Sequence, residues 1–357
     1  MSNIKGPLDY TTRAHLKNFF DQNPRKYAFQ AKDPKAFHAW KNELRSALRD
    51  ITGISRMEKC EPVFRVLEVT QLDGYQRKKT VLQTEKDVWM PFYMLIPDGI
   101  KEGDRRAAVI APHGHGCCGK YGVAGIDDVP VVKRSIERYQ TDYGVHLVQL
   151  GYIVFCPDAR GSGERREWMN QGDEDEKLLS SSCTQLNFAA ISLGQSLTGM
   201  WVWDLMRLVD YIETLNICDT EKIGCCGFSG GGLQSLWLAA MDDRIKCAVV
   251  GSYMHGFRES ILKTHLCGCN FVPHLWEYAD MGDLAALIAP RPLLIQNGSD
   301  DPLNGERGIE DVNEQVEITR QSYKLFGEES KLQQYVFPGG HQWNSDKIQE
   351  FFSRWLG

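Results

Sequence analysis

The spacing of hydrophobic positions changes twice along the chain, and each change marks a different kind of structure. Between residues 8 and 53 apolar side chains recur every three or four positions, in LKNFF (16–20) and in FHAWKNELRSALRDI (37–51). That is the spacing of one face of an α-helix, so helices are predicted here, with a break at Asn23-Pro24, where proline removes a backbone donor. From Val63 the pattern becomes short runs rich in branched and aromatic residues: FRVLEVTQ (64–71), RKKTVLQTE (77–85) and VWMPFYMLIPDG (88–99). Turn residues at Asp73-Gly74 and Glu85-Lys86-Asp87 separate them, which predicts an antiparallel lead-in to a sheet.

After Asp104 buried strand and helix alternate. The strand cores are AAVIAPHG (107–114), YIVFCPDARG (152–161), KIGCCGFSGG (222–231), IKCAVVGS (245–252), RPLLIQNG (291–298) and LQQYVFPGG (332–340). Helix-patterned stretches lie between them, such as 199–215, where Met200, Trp203, Leu205, Leu208, Tyr211 and Ile212 form one apolar stripe. Such alternation predicts an α/β fold built on a mostly parallel, doubly wound sheet. No internal repeat is visible. Residues 161–196 are too long for a plain connection and combine ERREWMNQGDEDEK with SSSCTQ, so an insertion or lid is expected there. The expected division is a helical N-terminal extension, 1–60, and a catalytic domain, 61–357.

Composition narrows the function classes. Hydrophobic residues at 42% and charged residues at 25%, without low-complexity tracts, are values of a folded chain. The net charge of −6 disfavours capture of nucleic acid or of anionic membrane. The opening MSNIKGPLDYTTRAHLKNFF lacks the order of a secretory signal, and charges and prolines keep every apolar run well below the ~18 residues of a membrane span. A cytoplasmic location is therefore expected. Eleven cysteines are an odd number for a fully paired framework, and Cys156, Cys225 and Cys226 sit inside strand runs, so reduced, buried thiols are expected.

The sharpest chemical signal is Gly227-Phe228-Ser229-Gly230-Gly231-Gly232, between the strand run KIGCC and the helix-like LQSLWLAAM. A serine at such a junction sits on a tight turn that leaves no room for Cβ groups at Gly227 and Gly231. The turn also places it at a helix N-terminus, where free N–H groups favour an oxyanion. A serine hydroxyl needs a base and an orienting carboxylate. Downstream, the strand RPLLIQNG ends in Asp300-Asp301 and the strand LQQYVF ends in a glycine turn carrying His341. Ser229, an aspartate and His341 at successive strand ends give the order Ser, Asp, His. Taken singly, the aspartates also read as a turn pair and His341 as a loop histidine.

These residues resemble the α/β-hydrolase superfamily, in its dienelactone-hydrolase-like and acetyl-xylan-esterase-like branch, from about Val63 to the C-terminus. Further matching stretches are PDARGSGER (157–165), SLTGMWVWD (196–204) and LIAPRPLLIQNG (287–298). The branch's G-x-x-D-P turn matches Gly298-Ser299-Asp300-Asp301-Pro302, which implies Asp301 as the acid. Pro112-His113-Gly114-His115-Gly116 resembles the HGxG loop, which implies oxyanion donors at the N–H groups of Gly230 and His115, with Gly116 as the neighbouring alternative. The resemblance implies a serine hydrolase without cofactor or metal, cleaving a carboxylic ester of a small or medium-sized substrate through an acyl-enzyme. Alternatives on the same residues are a peptidase, a C–C bond hydrolase, or a non-catalytic scaffold.

Other residues admit chemistry but have simpler readings. His113 with His115, and His255, His265, Cys267, Cys269 and His274, offer metal-ligand types, but C-x-C with scattered histidines is a weak zinc pattern, and the second stretch reads as pocket wall with Tyr253 and Met254. Cys117-Cys118 reads as packing. Tyr121, Trp168 and Trp343 read as loop packing beside a pocket, and Arg160, Glu164, Arg165 and Arg166 as solvated or structural ion pairs. Phe19, Phe20, Phe37 and Trp40 on the N-terminal helices need cover, from the body of the chain or from a second copy in a homo-oligomer.

Overall fold

The computed structural model describes residues 10–263 and 266–357. Among the described residues nine strands form one sheet: β1 (Phe64–Leu72), β2 (Tyr75–Glu85), β3 (Val88–Pro97), β4 (Arg106–Ile110), β5 (Ile153–Pro157), β6 (Cys218–Phe228), β7 (Cys247–Gly251), β8 (Leu293–Gly298) and β9 (Leu332–Phe337). Their order is β1-β2-β3-β5-β4-β6-β7-β8-β9. The first three are antiparallel hairpins, with Leu72 opposite Tyr75 across Asp73-Gly74, and β3 pairs antiparallel with β5. The remaining pairs are parallel. Helices cover both faces of a parallel sheet, so β5, β7 and β8 are buried along their whole length; β5 and β7 read as continuous apolar runs, and β8 is apolar over Leu293–Ile295 before the buried Gln296 and Asn297.

The chain leaves β4 to build β5 on one side and β6 on the other. That reversal opens a crevice above the carboxyl ends of β4 and β6, the ordinary place for a ligand in an open α/β sheet.

Helices at Arg13–Gln22 and Pro34–Thr52 flank the expected break. The second starts with Asp33 accepting the Ala36 N–H at 2.8 Å and ends at Gly53 with φ 78°. Phe37, Leu44 and Leu48 are buried in the same core as Trp201 and Trp237. Contact is backbone to backbone: a Cβ on Gly199 would lie 2.2 Å from the Thr52 carbonyl oxygen. Trp40 donates its indole N–H to the Tyr27 carbonyl at 2.9 Å, while Phe19 stays exposed.

Between 161 and 196 lie short helical turns and the helix Cys183–Ser192. Buried ion pairs fix where this segment leaves the sheet. Lys120, 1% exposed, reaches Asp158 at 2.6 Å and also bonds Glu164. Arg160 and Arg165 grip Asp204 at 2.8 and 2.7 Å, and Arg160 also reaches Glu85 at 2.6 Å. The charged turn after β5 is therefore structural: Arg160 and Arg165 meet carboxylates from other elements, and Arg166 donates to the Gly163 and Gly172 carbonyls at 2.7 and 2.9 Å. No helix among the described residues is long and apolar enough to cross a membrane.

Candidate active site

β6 ends at Phe228 and the helix Gly230–Met241 starts at once, so Ser229 alone makes the turn. Its backbone adopts φ 56° and ψ −117°, a conformation costing an ordinary residue roughly 1–3 kcal/mol. The Ser229 N–H donates to the Gly251 carbonyl at 2.8 Å and ties the turn to β7. A Cβ on Gly227 would stand 2.3 Å from the Gly231 carbonyl oxygen, and one on Gly231 2.2 Å from that of Pro112. The glycines around the serine are thus a steric requirement. The first N–H groups of the helix have no acceptor within it and face the same end of the sheet.

His341 and Asp301 come from the loops after β9 and β8. His341 Nδ1 lies 2.7 Å from Asp301 Oδ2. The other oxygen, Oδ1, accepts the Leu303 N–H at 2.9 Å, and the carboxylate is fully buried. A buried carboxylate is an acceptor, so the Nδ1 proton points at it and Nε2 is left as the basic nitrogen. Phe228 supports the ring, with centroids 4.7 Å apart. Asp300 is exposed, and its carboxylate accepts the Ser299 hydroxyl at 3.0 Å. Burial and hydrogen bonding therefore separate two aspartates that are adjacent in sequence.

Ser229, Gly230, His115, His255, Cys267 and His341 share the walls of one cavity of about 550 Å³. The loop after β4 closes against the serine turn: a Cβ on Gly114 would stand 2.6 Å from the Phe228 carbonyl oxygen. A Cβ on Gly230 would meet His115 Nδ1 at 2.7 Å and the His115 main-chain nitrogen at 3.5 Å. The main chain of His115 thus borders the start of the helix. His113 is buried and committed elsewhere, its Nδ1 2.9 Å from the Gly114 carbonyl and its Nε2 accepting the Ala159 N–H at 3.1 Å.

The His115 ring turns away from the sheet toward cysteines. Its Nε2 lies 3.5 Å from Cys269 Sγ and 3.7 Å from Cys183 Sγ. Burial opposes protonation of this imidazole, but hydrogen bonds with Cys183 and Cys267 outweigh it and raise the ring to about 10. Hydrogen bonds from Cys183 and Cys269 hold the Cys267 thiol below its ordinary value.

The stretch from His255 to His274 does not converge as a set. His274 is exposed and pairs with Glu277 at 3.0 Å, and His265 lies outside the described residues. His255 is buried in the cavity wall, and among the described residues neither ring nitrogen has a protein partner. Burial drives its imidazole down to about 4 against the pull of the Asp301 carboxylate, so it is neutral at neutral pH. Burial pushes Cys117 up to about 12 and Cys118 up to about 11, which keeps both as thiols. Trp343 is buried against Tyr143 at 4.6 Å, Trp168 is exposed and Tyr121 leans on Lys120. The aromatic residues of the cavity wall are instead Tyr139 and Tyr253. Cys183 carried no readable signal, because its neighbours come from other loops.

The Abhydrolase family model matches residues 10–346. YtaP of Bacillus subtilis (strain 168), a protein assigned as a hydrolase, is 28% identical over 218 residues, 58% of this chain and 65% of that protein. The chain thus aligns with a little under two thirds of this curated relative. Among solved structures, a Bacteroides fragilis NCTC 9343 protein assigned as an acetyl xylan esterase superposes with TM-score 0.73 at 18% identity, over 94% of this chain and 84% of that one. A glucuronoyl esterase from Solibacter usitatus superposes with TM-score 0.68 at 15% identity, over 93% and 96%. At such identities the likeness speaks for the fold.

Proposed function

The chain belongs to the Abhydrolase family, and from that premise we propose that it is a serine-dependent carboxylic ester hydrolase. The observation that carries the reading is the His341–Asp301 pair at 2.7 Å, with Asp301 buried and its second oxygen held, on the cavity that Ser229 enters from its strained turn. In this mechanism Ser229 Oγ attacks the ester carbonyl carbon while His341 Nε2 takes its proton. Asp301 holds the Nδ1–H and stabilises the imidazolium. The carbonyl oxygen, now negative, sits between the N–H groups of Gly230 and His115. Collapse expels the alcohol, which receives the proton from His341 and leaves an acyl-enzyme. Water, deprotonated by the same nitrogen, then releases the carboxylic acid and restores Ser229.

The cavity favours a small or medium-sized ester with a polar alcohol or acid part. Beside the reacting groups it presents Ser181, Thr184, Ser252, Asn270 and His255, all able to hydrogen-bond hydroxyl groups. Carbohydrate esters are accordingly the first class to test, in keeping with the names of the acetyl xylan and glucuronoyl esterase neighbours. The experiment is labelling with a fluorophosphonate, followed by aryl esters of graded acyl length, acetylated and uronate-ester sugars, aryl amides and a vinylogous 1,5-diketone. Labelling in wild type, its loss in Ser229→Ala, and turnover confined to esters are the expected results. Labelling that persists in Ser229→Ala, or turnover confined to amides or the diketone, overturns the reading.

A further inference from the structure

Three segments meet beside the cavity wall, and each brings a side chain that can ligate a metal. The loop after β4 supplies His115 and the 161–196 segment supplies Cys183, the first residue of its ten-residue helix. The loop after β7 supplies Cys267 and Cys269. One ligand atom from each of His115, Cys183 and Cys267 lies within 4.8 Å of the others. Cys269 Sγ joins them at 3.5 Å from His115 Nε2, and Cys183 Sγ stands at 3.7 Å from the same nitrogen. A tetrahedral zinc ion with Zn–S of about 2.3 Å and Zn–N of about 2.0–2.1 Å places its nitrogen and sulfur ligands about 3.5 Å apart. The two nitrogen–sulfur separations match that figure, and the three cysteines are free of disulfides.

The surroundings favour the same arrangement. Asn270 Nδ2 donates to Cys269 Sγ at 3.6 Å, the kind of N–H···S contact that orients a metal-bound sulfur. The C-x-C turn is pressed onto that helix: the Gly268 carbonyl accepts from Asn187 at 2.7 Å, and a Cβ on Gly268 would stand 2.7 Å from Thr184 Cα. His113, the other histidine of the loop after β4, is excluded, because its Nε2 already accepts a backbone N–H.

We propose that His115, Cys183, Cys267 and Cys269 form a closed Cys₃His site for a divalent transition metal, zinc by its donor set. Four protein ligands leave no open position, so the ion is structural and takes no part in bond cleavage. On binding, the three thiols give their protons to solvent and His115 coordinates through neutral Nε2. The consequence is mechanical. The metal clamps the 161–196 segment and the loop after β7 onto His115, whose ring edge abuts Gly230, and so fixes the wall of the cavity and the main chain beside the serine turn.

The test uses the full-length chain, purified in reductant without chelator and freed of any histidine tag. Elemental analysis should give about one zinc per chain. Cys183→Ser and Cys267→Ser should each lower that content at least tenfold, whereas Cys60→Ser and Cys118→Ser should leave it intact. Should the ligand variants fail to fold, wild type still decides. A mercurial thiol reagent should release the zinc to a chromogenic chelator, and cobalt exchanged into the protein should give an intense near-ultraviolet thiolate-to-cobalt charge-transfer band. Metal content below roughly a tenth of an ion per chain with no such band, metal that survives both substitutions, or a disulfide between two of the three cysteines would each overturn the site. Ser229→Ala should lose fluorophosphonate labelling but keep its metal, so this proposal and the esterase reading fail separately.

Discussion

Replacing Asp301 by asparagine tests the proposed mechanism at the point where the structure is most specific. The carboxylate has two buried obligations: Oδ1 accepts the Leu303 N–H at 2.9 Å and Oδ2 faces His341 Nδ1 at 2.7 Å. Asparagine has one acceptor oxygen and one donor nitrogen. If the oxygen stays with the Leu303 N–H, the amide nitrogen faces His341 and can only donate, which forces Nδ1 to accept and moves the imidazole proton to Nε2. That nitrogen can then no longer take the serine proton. The opposite flip would leave two N–H groups facing each other inside the fold. With the tautomer wrong, kcat should fall on the order of 10⁴, or about 5.5 kcal/mol of barrier. Fluorophosphonate labelling should slow in parallel, because it draws on the same base. Asp300 is exposed, so Asp300→Asn should change either rate less than about threefold. The assay is single-turnover hydrolysis of an aryl acetate alongside labelling kinetics, with circular dichroism to establish folding. A folded Asp301→Asn protein within tenfold of wild type, or a larger loss in Asp300→Asn, would refute the reasoning.

Other outcomes follow from buried groups. Lys120→Met leaves Asp158 buried without its ammonium partner and should cost about 3–5 kcal/mol in urea unfolding; a cost below about 1 kcal/mol would mean that the ion pair does not anchor this turn. Leu44→Ala, in the helix that shares the main core, should cost about 2–5 kcal/mol while the folded fraction still labels at Ser229; an unchanged midpoint would show that this helix does not depend on that packing. His255 is held neutral, its imidazole driven to about 4, so its contribution to stability is complete above the unfolded value of 6.5 and is lost as pH falls from there toward about 4. His255→Phe should therefore flatten the decline in unfolding free energy between pH 7.5 and 4.5 by about 2–3 kcal/mol, and an equally steep decline in the variant would exclude this residue as its source.

The turn around Ser229 was legible because each of its requirements is local. Carbonyl groups pressed against the turn write themselves into positions 227, 231 and 232 as glycines, while the positive φ falls on the serine itself. Alternation of apolar runs with helical stripes determined the sheet in the same way, since a strand buried on both faces is built mainly from apolar residues, as β5 and β7 are. Tertiary structure decided what depends on partners distant in the chain. Spacing leaves Asp300 and Asp301 equivalent, and only the approach of the His341 loop buries one and exposes the other. Lys120 belongs to a residue type of surfaces, and its burial comes from Asp158 and Glu164, 38 and 44 positions away. Cys267 and Cys269 signal a pair, but their companions in space are Cys183 and a histidine 154 positions earlier, not the nearer histidines of their own stretch. Backbone conformation is set by steric contacts within a few residues, which a sequence records directly, whereas burial and electrostatic partnership arise from loops meeting across the sheet and exist only once the chain has folded.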